Sequence, residues 1–517
     1  MSRSKKPDKS RSKPDRFLNW FRTHKLDTTI VAVLLAVSFG VSAVNMTGYP
    51  QRFEDEGTYI SQAWAVQKKG ELAHYTYWYD HPPVGWIQMA GYLTVSNATD
   101  RYDSAVSAGR ELMLVMHLAI IVLIYALARR LSIGSIATGI GTLAYALSPL
   151  VVEFSRYVLL DNVALFWLLA ALLLALSPRR HIFTAMGSAL CMAIAVLSKE
   201  TFLALLPVLL YSMWSVGDKR NRRYTLTVFG VVFLTISGFY VLYATLKNEL
   251  LPGEGHVSLL GTFFWQMFGR EGSGSIFNSG SSSRGLINYW LEIDYWLVIA
   301  GVVSLPIAFF YRKLRVVAFA LLIGLALLLR TGYLPFPYII VLLPFASLVF
   351  AGVLHHTIIV PLQTCISTTR RILAGVATFV LIAISVTMVY PVWQPKLAII
   401  TSVDRNASSR QAIDWIEHNV PRDSLLIVES AFWVDLQNKG FNQLEPVWLY
   451  KTETDPAVTK KIGGWQGIDY IVLNGPTIGD KNFGKTFPTT AQAIDNSQLI
   501  VEFGKDNQKI LIYEVRH

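Results

Sequence analysis

"RELMLVMHLAIIVLIYALARR", Arg110–Arg130, decides the fold class. From Leu112 to Ala128 it carries no acid, lysine or arginine, and it closes on Arg129 and Arg130. A helix of this length rises about 30 Å, the thickness of a bilayer's hydrocarbon core. Comparable runs recur to Tyr390. The 517 residues are 52% hydrophobic and 16% charged, with mean hydropathy +0.39. Soluble domains average about 25% charged residues. The expected fold class is a polytopic α-helical membrane protein of about eleven transmembrane helices.

Charge sets the expected orientation. Residues 1–27 are basic and rich in Ser and Pro, reading as a cytoplasmic tail rather than a signal peptide. Basic clusters then fall in alternate connections, at Arg129–Arg130, Arg179–Arg180, Lys219–Arg223, Arg312–Arg315 and Arg370–Arg371. That alternation satisfies the positive-inside rule and places the protein in the cytoplasmic membrane, amino terminus inside. The same clusters account for the net charge of +11 without a nucleic-acid partner. Cys191 and Cys365 lie in different segments, so no disulfide framework is expected.

Residues 28–390 then form the membrane domain, with outer loops at 48–108, 150–161 and 247–294. Residues 391–517 form an extracytoplasmic domain. In it "SRQAIDWIEHNV" has helical spacing, while "SLLIVES", "IDYIVLN" and "QKILIYEV" read as strands. A small α/β domain is expected.

Ionisable residues collect at the outer edge in this topology. "RFEDEGTYI" carries Glu54, Asp55 and Glu56; "YDHPPVGW" carries His81; "EFSRYVLLDN" carries Glu153, Arg156 and Asp161. "LSKE" carries Lys199 and Glu200, and Arg270 and Arg330 lie farther along. Charge at a membrane edge is costly, so a cluster of both signs marks a candidate site. Acids beside fixed cations suit general base catalysis on a phosphate-bearing lipid. Each has a plainer reading: Asp161 as a helix N-cap, Lys199 as a snorkelling side chain, and Tyr75, Tyr77, Trp78, Tyr79 and Trp86 as an interfacial belt or a sugar-stacking surface. The acids could also supply oxygen ligands to a divalent cation, although no ligand spacing demands one.

These four motifs, in this order and on one side, resemble the GT-C glycosyltransferases. The nearest branch holds the protein O-mannosyltransferases and the lipid A aminoarabinose transferases. The resemblance implies transfer of a sugar from a polyprenyl-phosphate donor to an acceptor hydroxyl on a lipid, glycan or protein, with inversion. It implies Asp55 as general base, Glu56 as its support and Asp161 as a residue placing donor or acceptor. Lys199 would sit at the lipid phosphate, with His81, Arg156, Arg270 and Arg330 as further donor-side residues. His81 stands where the aminoarabinose transferases have lysine, and Glu200 follows Lys199 where the family more often has a small residue. The alternatives are a non-catalytic lipid-carrier-binding protein of the same fold and a transporter. A transporter's polar residues belong near the bilayer midplane.

Overall fold

The computed structural model describes residues 25–177, 182–216, 221–364, 368–441 and 446–517. Most of the basic tail, Arg179–Arg180 and Cys365 lie outside these residues.

Among the described residues four helices are long and apolar enough to cross a membrane: Lys25–Ala43, Ala105–Arg130, Arg222–Leu246 and Phe336–Gln363. Shorter apolar helices run over Leu160–Ala175, Ile182–Ser198, Glu200–Ser215 and Arg315–Leu328. This is a multi-pass membrane architecture, but its spans are less regular than the expected set. The third expected span is a bent pair, Ser135–Leu147 and Pro149–Arg156, turning by 60°. Ser148 caps the second member and Pro149 fills its first position, where a missing N–H costs nothing. The expected span at Tyr295–Tyr311 belongs to a second bent pair, Ser282–Ile293 and Trp296–Ala308, turning by 104°. Buried Asp294 ties the two bends together. One carboxylate oxygen accepts from the Ser148 hydroxyl at 2.5 Å, the other from the Trp296 amide at 2.8 Å.

The last expected span should stop at Tyr390, before Pro391. Instead one helix runs over Thr368–Ser402 with Pro391 and Pro395 inside it. At 1.5 Å per residue its 35 residues reach about 52 Å, well beyond a hydrocarbon core of about 30 Å. Near its end, the Ile400 carbonyl accepts from Arg156 at 3.0 Å and from Asn45 at 3.1 Å.

Beyond it a five-stranded sheet has the order β2-β1-β3-β5-β4. The strands are β1 Leu426–Val428, β2 Pro446–Trp448, β3 Tyr470–Asn474, β4 Ser497–Phe503 and β5 Ile510–Val515. β1 pairs in parallel with β2 and β3, and β5 pairs antiparallel with β3 and β4. Three of the strands were legible as apolar runs. β2 was not, being three residues long and opening on proline; β4 was not, because it is an edge strand with Leu499 and Ile500 exposed. The carboxyl ends of β1 and β2 lead into Glu429 and into Tyr450 and Lys451, and Lys451 lies over the Tyr75 and Trp78 rings of the segment 48–108.

That meeting is close. In the helix Glu54–Lys69, Gly57 packs on the turn entering the helix Ser430–Asn438. A Cβ there would lie 2.2 Å from the Ala431 nitrogen. The Ser430 hydroxyl donates to the Glu54 carbonyl at 2.5 Å. Buried Arg52 pairs with Asp435 at 3.2 Å, and Asp435 also accepts from the Ala105 amide at 2.7 Å. His74 lies between rings, 3.7 Å from Trp433 and 4.7 Å from Trp448, centroid to centroid. Gly57→Val must push backbone rather than a side chain. It is expected to destabilise this contact by about 2 kcal/mol. Lower thermal stability in detergent and faster proteolysis between residues 402 and 430 would report it; unchanged values would show that the contact can open freely.

Candidate active site

Three consecutive acids open the helix Glu54–Lys69, where the helix dipole favours negative charge. Successive residues on a helix diverge by about 100°, so the three side chains go to three places.

Glu56 turns inward and is fully buried. Arg110 grips it with two bonds, Nε to Oε1 at 2.9 Å and Nη2 to Oε2 at 2.8 Å. The Val158 amide adds a bond to Oε1 and the Phe53 amide one to Oε2, each at 3.0 Å. Glu56 thus fixes its own helix, the helix Ala105–Arg130 and the Tyr157–Leu159 turn to one another. None of its oxygens is free for a substrate.

Asp55 points into the open site. It is half-buried, and its carboxylate has no hydrogen-bond partner among the described residues. Burial raises its pKa above the ordinary aspartate range; Lys199 and His81 counter this and Asp80 adds to it. Glu54 is exposed at its outer side and lies toward the sheet; desolvation there, then Glu429 and Asp55, raise its pKa.

Lys199 is buried opposite Asp55. Its ammonium lies 2.9 Å from His81 Nε2 and 4.0 Å from Asp161 Oδ2. Burial disfavours its charge, but Asp161, Glu200 and Asp55 together raise its pKa and keep it protonated. His81 Nδ1 meets Glu200 Oε2 at 3.0 Å. The helix Leu160–Ala175 places Asp161 at its second residue, after Leu159 at the N-cap, so the N-cap reading does not hold. Asp161 Oδ2 is buried with no hydrogen bond, and the residue borders a cavity lined by Phe202, Leu205, Gly324, Leu327 and Leu342. Asp55, Asp161, His81 and Lys199 therefore come together.

Arg270 and Arg330 meet elsewhere on the rim. The Arg270 guanidinium stacks 3.4 Å from the Tyr333 ring centre, and Arg330 donates to the Tyr333 carbonyl at 2.5 Å. Arg270 is near enough to Asp55 to favour its carboxylate. Arg156 departs from the expectation. It is buried and donates to five backbone carbonyls, those of Val41, Val44, Asn45, Tyr49 and Ile400. It closes the carboxyl end of the first long helix, and a phosphate would have to displace those carbonyls. Tyr79 and Trp86 are buried in protein and form neither a belt nor an open stacking surface.

Sequence reasoning passed over Arg110, Arg52, Asp435 and Tyr450. Arg110 carried a signal: an arginine after "SAG" at the head of an apolar span needs a partner. The others depend on how the sheet docks. Among the described residues no three His, Cys, Asp or Glu side chains converge as a ligand set. A divalent cation here would take part of its shell from donor phosphate and water.

Comparison with known proteins bears on the fold. Residues 80–243 match the family described as dolichyl-phosphate-mannose-protein mannosyltransferase. No curated protein matches the chain in sequence. The fold is similar to that of ArnT from Cupriavidus metallidurans, solved with undecaprenyl phosphate bound. The TM-score is 0.59 at 15% identity, over 94% of this chain and 97% of that one. It is similar also to the archaeal oligosaccharyltransferase AglB from Archaeoglobus fulgidus, solved with an inhibitory peptide and a dolichol-phosphate. There the TM-score is 0.57 at 11% identity, over 88% and 70% of the two chains. The chain has the GT-C fold.

Glu56→Gln would leave Arg110 buried without its counter-charge. Breaking such a pair costs about 3–5 kcal/mol, so a large loss of thermal stability in detergent is expected. A stable variant that only lost activity would instead make Glu56 a chemical participant.

Proposed function

We propose that this chain is an inverting glycosyltransferase that takes its sugar from a polyprenyl-phosphate donor and acts at the outer face of the membrane. The observation that carries the reading is the pairing of Asp55, an unengaged carboxylate, with a buried Lys199 ammonium beside an apolar cavity. The apolar lining of the cavity suits isoprenyl groups near the head of the donor, and the cation suits the phosphate. The fold similarity to ArnT and AglB, each solved with a polyprenyl-type phosphate, supports the same reading.

In this mechanism the acceptor oxygen attacks the anomeric carbon from the face opposite the phosphate. The carbon–oxygen bond to phosphate breaks, and its electron pair leaves with the lipid phosphate. Asp55 takes the acceptor's proton, for which it must be ionised and within hydrogen-bond reach. Lys199 stabilises the charge gathering on the leaving phosphate, with Arg270 and Arg330 on the rim as further cations. Phosphate is already a good leaving group, so no strong general acid is needed. Asp161 lies 4.0 Å from Lys199, favours its charge and borders the space the donor enters. Tyr450 and Lys451 lie near Asp80, and Glu429 near Glu54, so the sheet borders the site on the side from which a lipid, glycan or protein acceptor would approach. The amino terminus is assigned to the cytoplasm and the sheet to the outside.

The test is transfer of radiolabel from a panel of polyprenyl-phosphate sugars by purified protein in liposomes. Asp55→Asn is expected to lower turnover about 10²- to 10⁴-fold, the usual contribution of a general base. Lys199→Ala should raise the donor KM more than it disturbs folding. Wild-type activity should fall on the acid side as Asp55 protonates, at a pH above about 3.9, the unperturbed aspartate value. Lys199→Ala should move that limb upward, because the cation that favours the carboxylate is gone. A wild-type protein that turns over no donor would overturn the reading; equal activity in Asp55→Asn would remove Asp55 as the base.

A further inference from the structure

Glu200 is the residue at this site that the mechanism leaves without a task. Its side chain is 43% exposed, and an acid so placed beside a phosphate-binding lysine would weaken anion binding if it only added charge. Its geometry is specific, however. Glu200 Oε2 lies 3.0 Å from His81 Nδ1, and His81 Nε2 lies 2.9 Å from Lys199 Nζ. Only one proton fits between Nζ and Nε2. An ammonium is a far weaker acid than an imidazolium, so that proton stays on Lys199 and Nε2 accepts it. The ring proton is then on Nδ1, directed at the Glu200 carboxylate.

We propose that Glu200 is a positioning residue, acting through His81 to hold the Lys199 ammonium where the lipid phosphate docks. This rests on the donor reading above.

The alternatives open to Lys199 show why it needs such a hold. Its other close acid is Asp161, at 4.0 Å. Asp55 and Asp80 attract it from farther away. A lysine stem bends easily. Without an acceptor at His81 the ammonium would close onto Asp161, consuming the charge the phosphate needs. His81 can serve as that acceptor only while its ring is held. Around it the structure provides Glu200 and Lys199 at the two nitrogens and Asp80 as the neighbouring acid. The Tyr59 ring lies at 6.1 Å. The Tyr77 and Tyr240 hydroxyls bond each other at 3.0 Å and reach His81 at its backbone carbonyl, at 2.8 and 3.5 Å, leaving the ring alone. Of these, Glu200 is the one that bonds Nδ1 and selects the tautomer. Pro82 and Pro83 fix the backbone behind the ring, which leaves its rotation as the remaining freedom.

The experiment measures binding of undecaprenyl phosphate to the purified full chain in detergent, with thermal unfolding as the folding control. Glu200→Ala is expected to weaken binding about tenfold, the scale of one hydrogen bond to a charged group. Glu200→Gln should stay within about twofold of wild type, since its amide oxygen also accepts from Nδ1–H. In a His81→Ala background Glu200→Ala should have no further effect, because the intermediary is gone. The proposal is overturned if Glu200→Ala binds like wild type. It is equally overturned if Glu200→Gln is as impaired as Glu200→Ala, or if the two alanine effects add. A wild-type protein with no affinity for the lipid would bring down the donor reading and this proposal together. Normal wild-type binding with any of the preceding results brings down this proposal alone.

Discussion

The buried pair of Glu56 and Arg110 is the constraint on which the site depends. Two charges out of water are unfavourable unless every lone pair and proton finds a partner. Here Glu56 accepts four bonds, and the Nη1 of Arg110 adds the Met46 and Pro50 carbonyls, both at 3.0 Å. The partners come from the segment Met46–Phe53, the long helix Ala105–Arg130 and the turn before Asp161. Satisfying one ion pair therefore fixes the relative positions of three segments far apart in sequence. Asp55 is the immediate neighbour of Glu56, and its direction follows. Asp161 lies three residues past Val158, so its placement follows as well.

Three adjacent acids thus have three fates, decided by the helical turn between them. One is consumed in structure, one stands without a hydrogen bond near Lys199 and His81, and one lies toward the sheet. The cations divide in the same way. Arg110 is taken up by a carboxylate and two carbonyls, and both terminal nitrogens of Arg156 by carbonyls; Lys199 has one hydrogen bond, to the His81 ring, and an acid at 4.0 Å. Burial alone does not separate these roles, since Glu56, Arg156 and Lys199 are all buried. The completeness of their hydrogen bonding does.

Much of this was legible in the sequence because the bilayer forces long apolar runs, and runs of that length are easily seen. The charged residues between them were equally visible. Asp55, His81, Asp161 and Lys199 could be put at one level by counting spans. The bends at Ser148–Pro149 and Asp294 were not legible, because hydropathy reports apolar length and is blind to direction. Nor was the separation of Arg156 from Lys199. Both are cations at the membrane edge, and only the carbonyls converging on Arg156 from Val41 to Tyr49 and from Ile400 reveal its role. The sheet's contribution was hidden for another reason. Tyr450 and Lys451 follow a three-residue strand whose pairing is set wholly by long-range contacts.

The most direct test of the account is a structure of the protein with undecaprenyl phosphate in a lipid environment. The phosphate should lie within hydrogen-bond reach of the Lys199 ammonium, with the prenyl chain along the cavity lined by Phe202, Leu205, Leu327 and Leu342 and Asp55 facing the phosphate across the open site. A phosphate bound away from Lys199, or a chain running along another face of the helices, would contradict it.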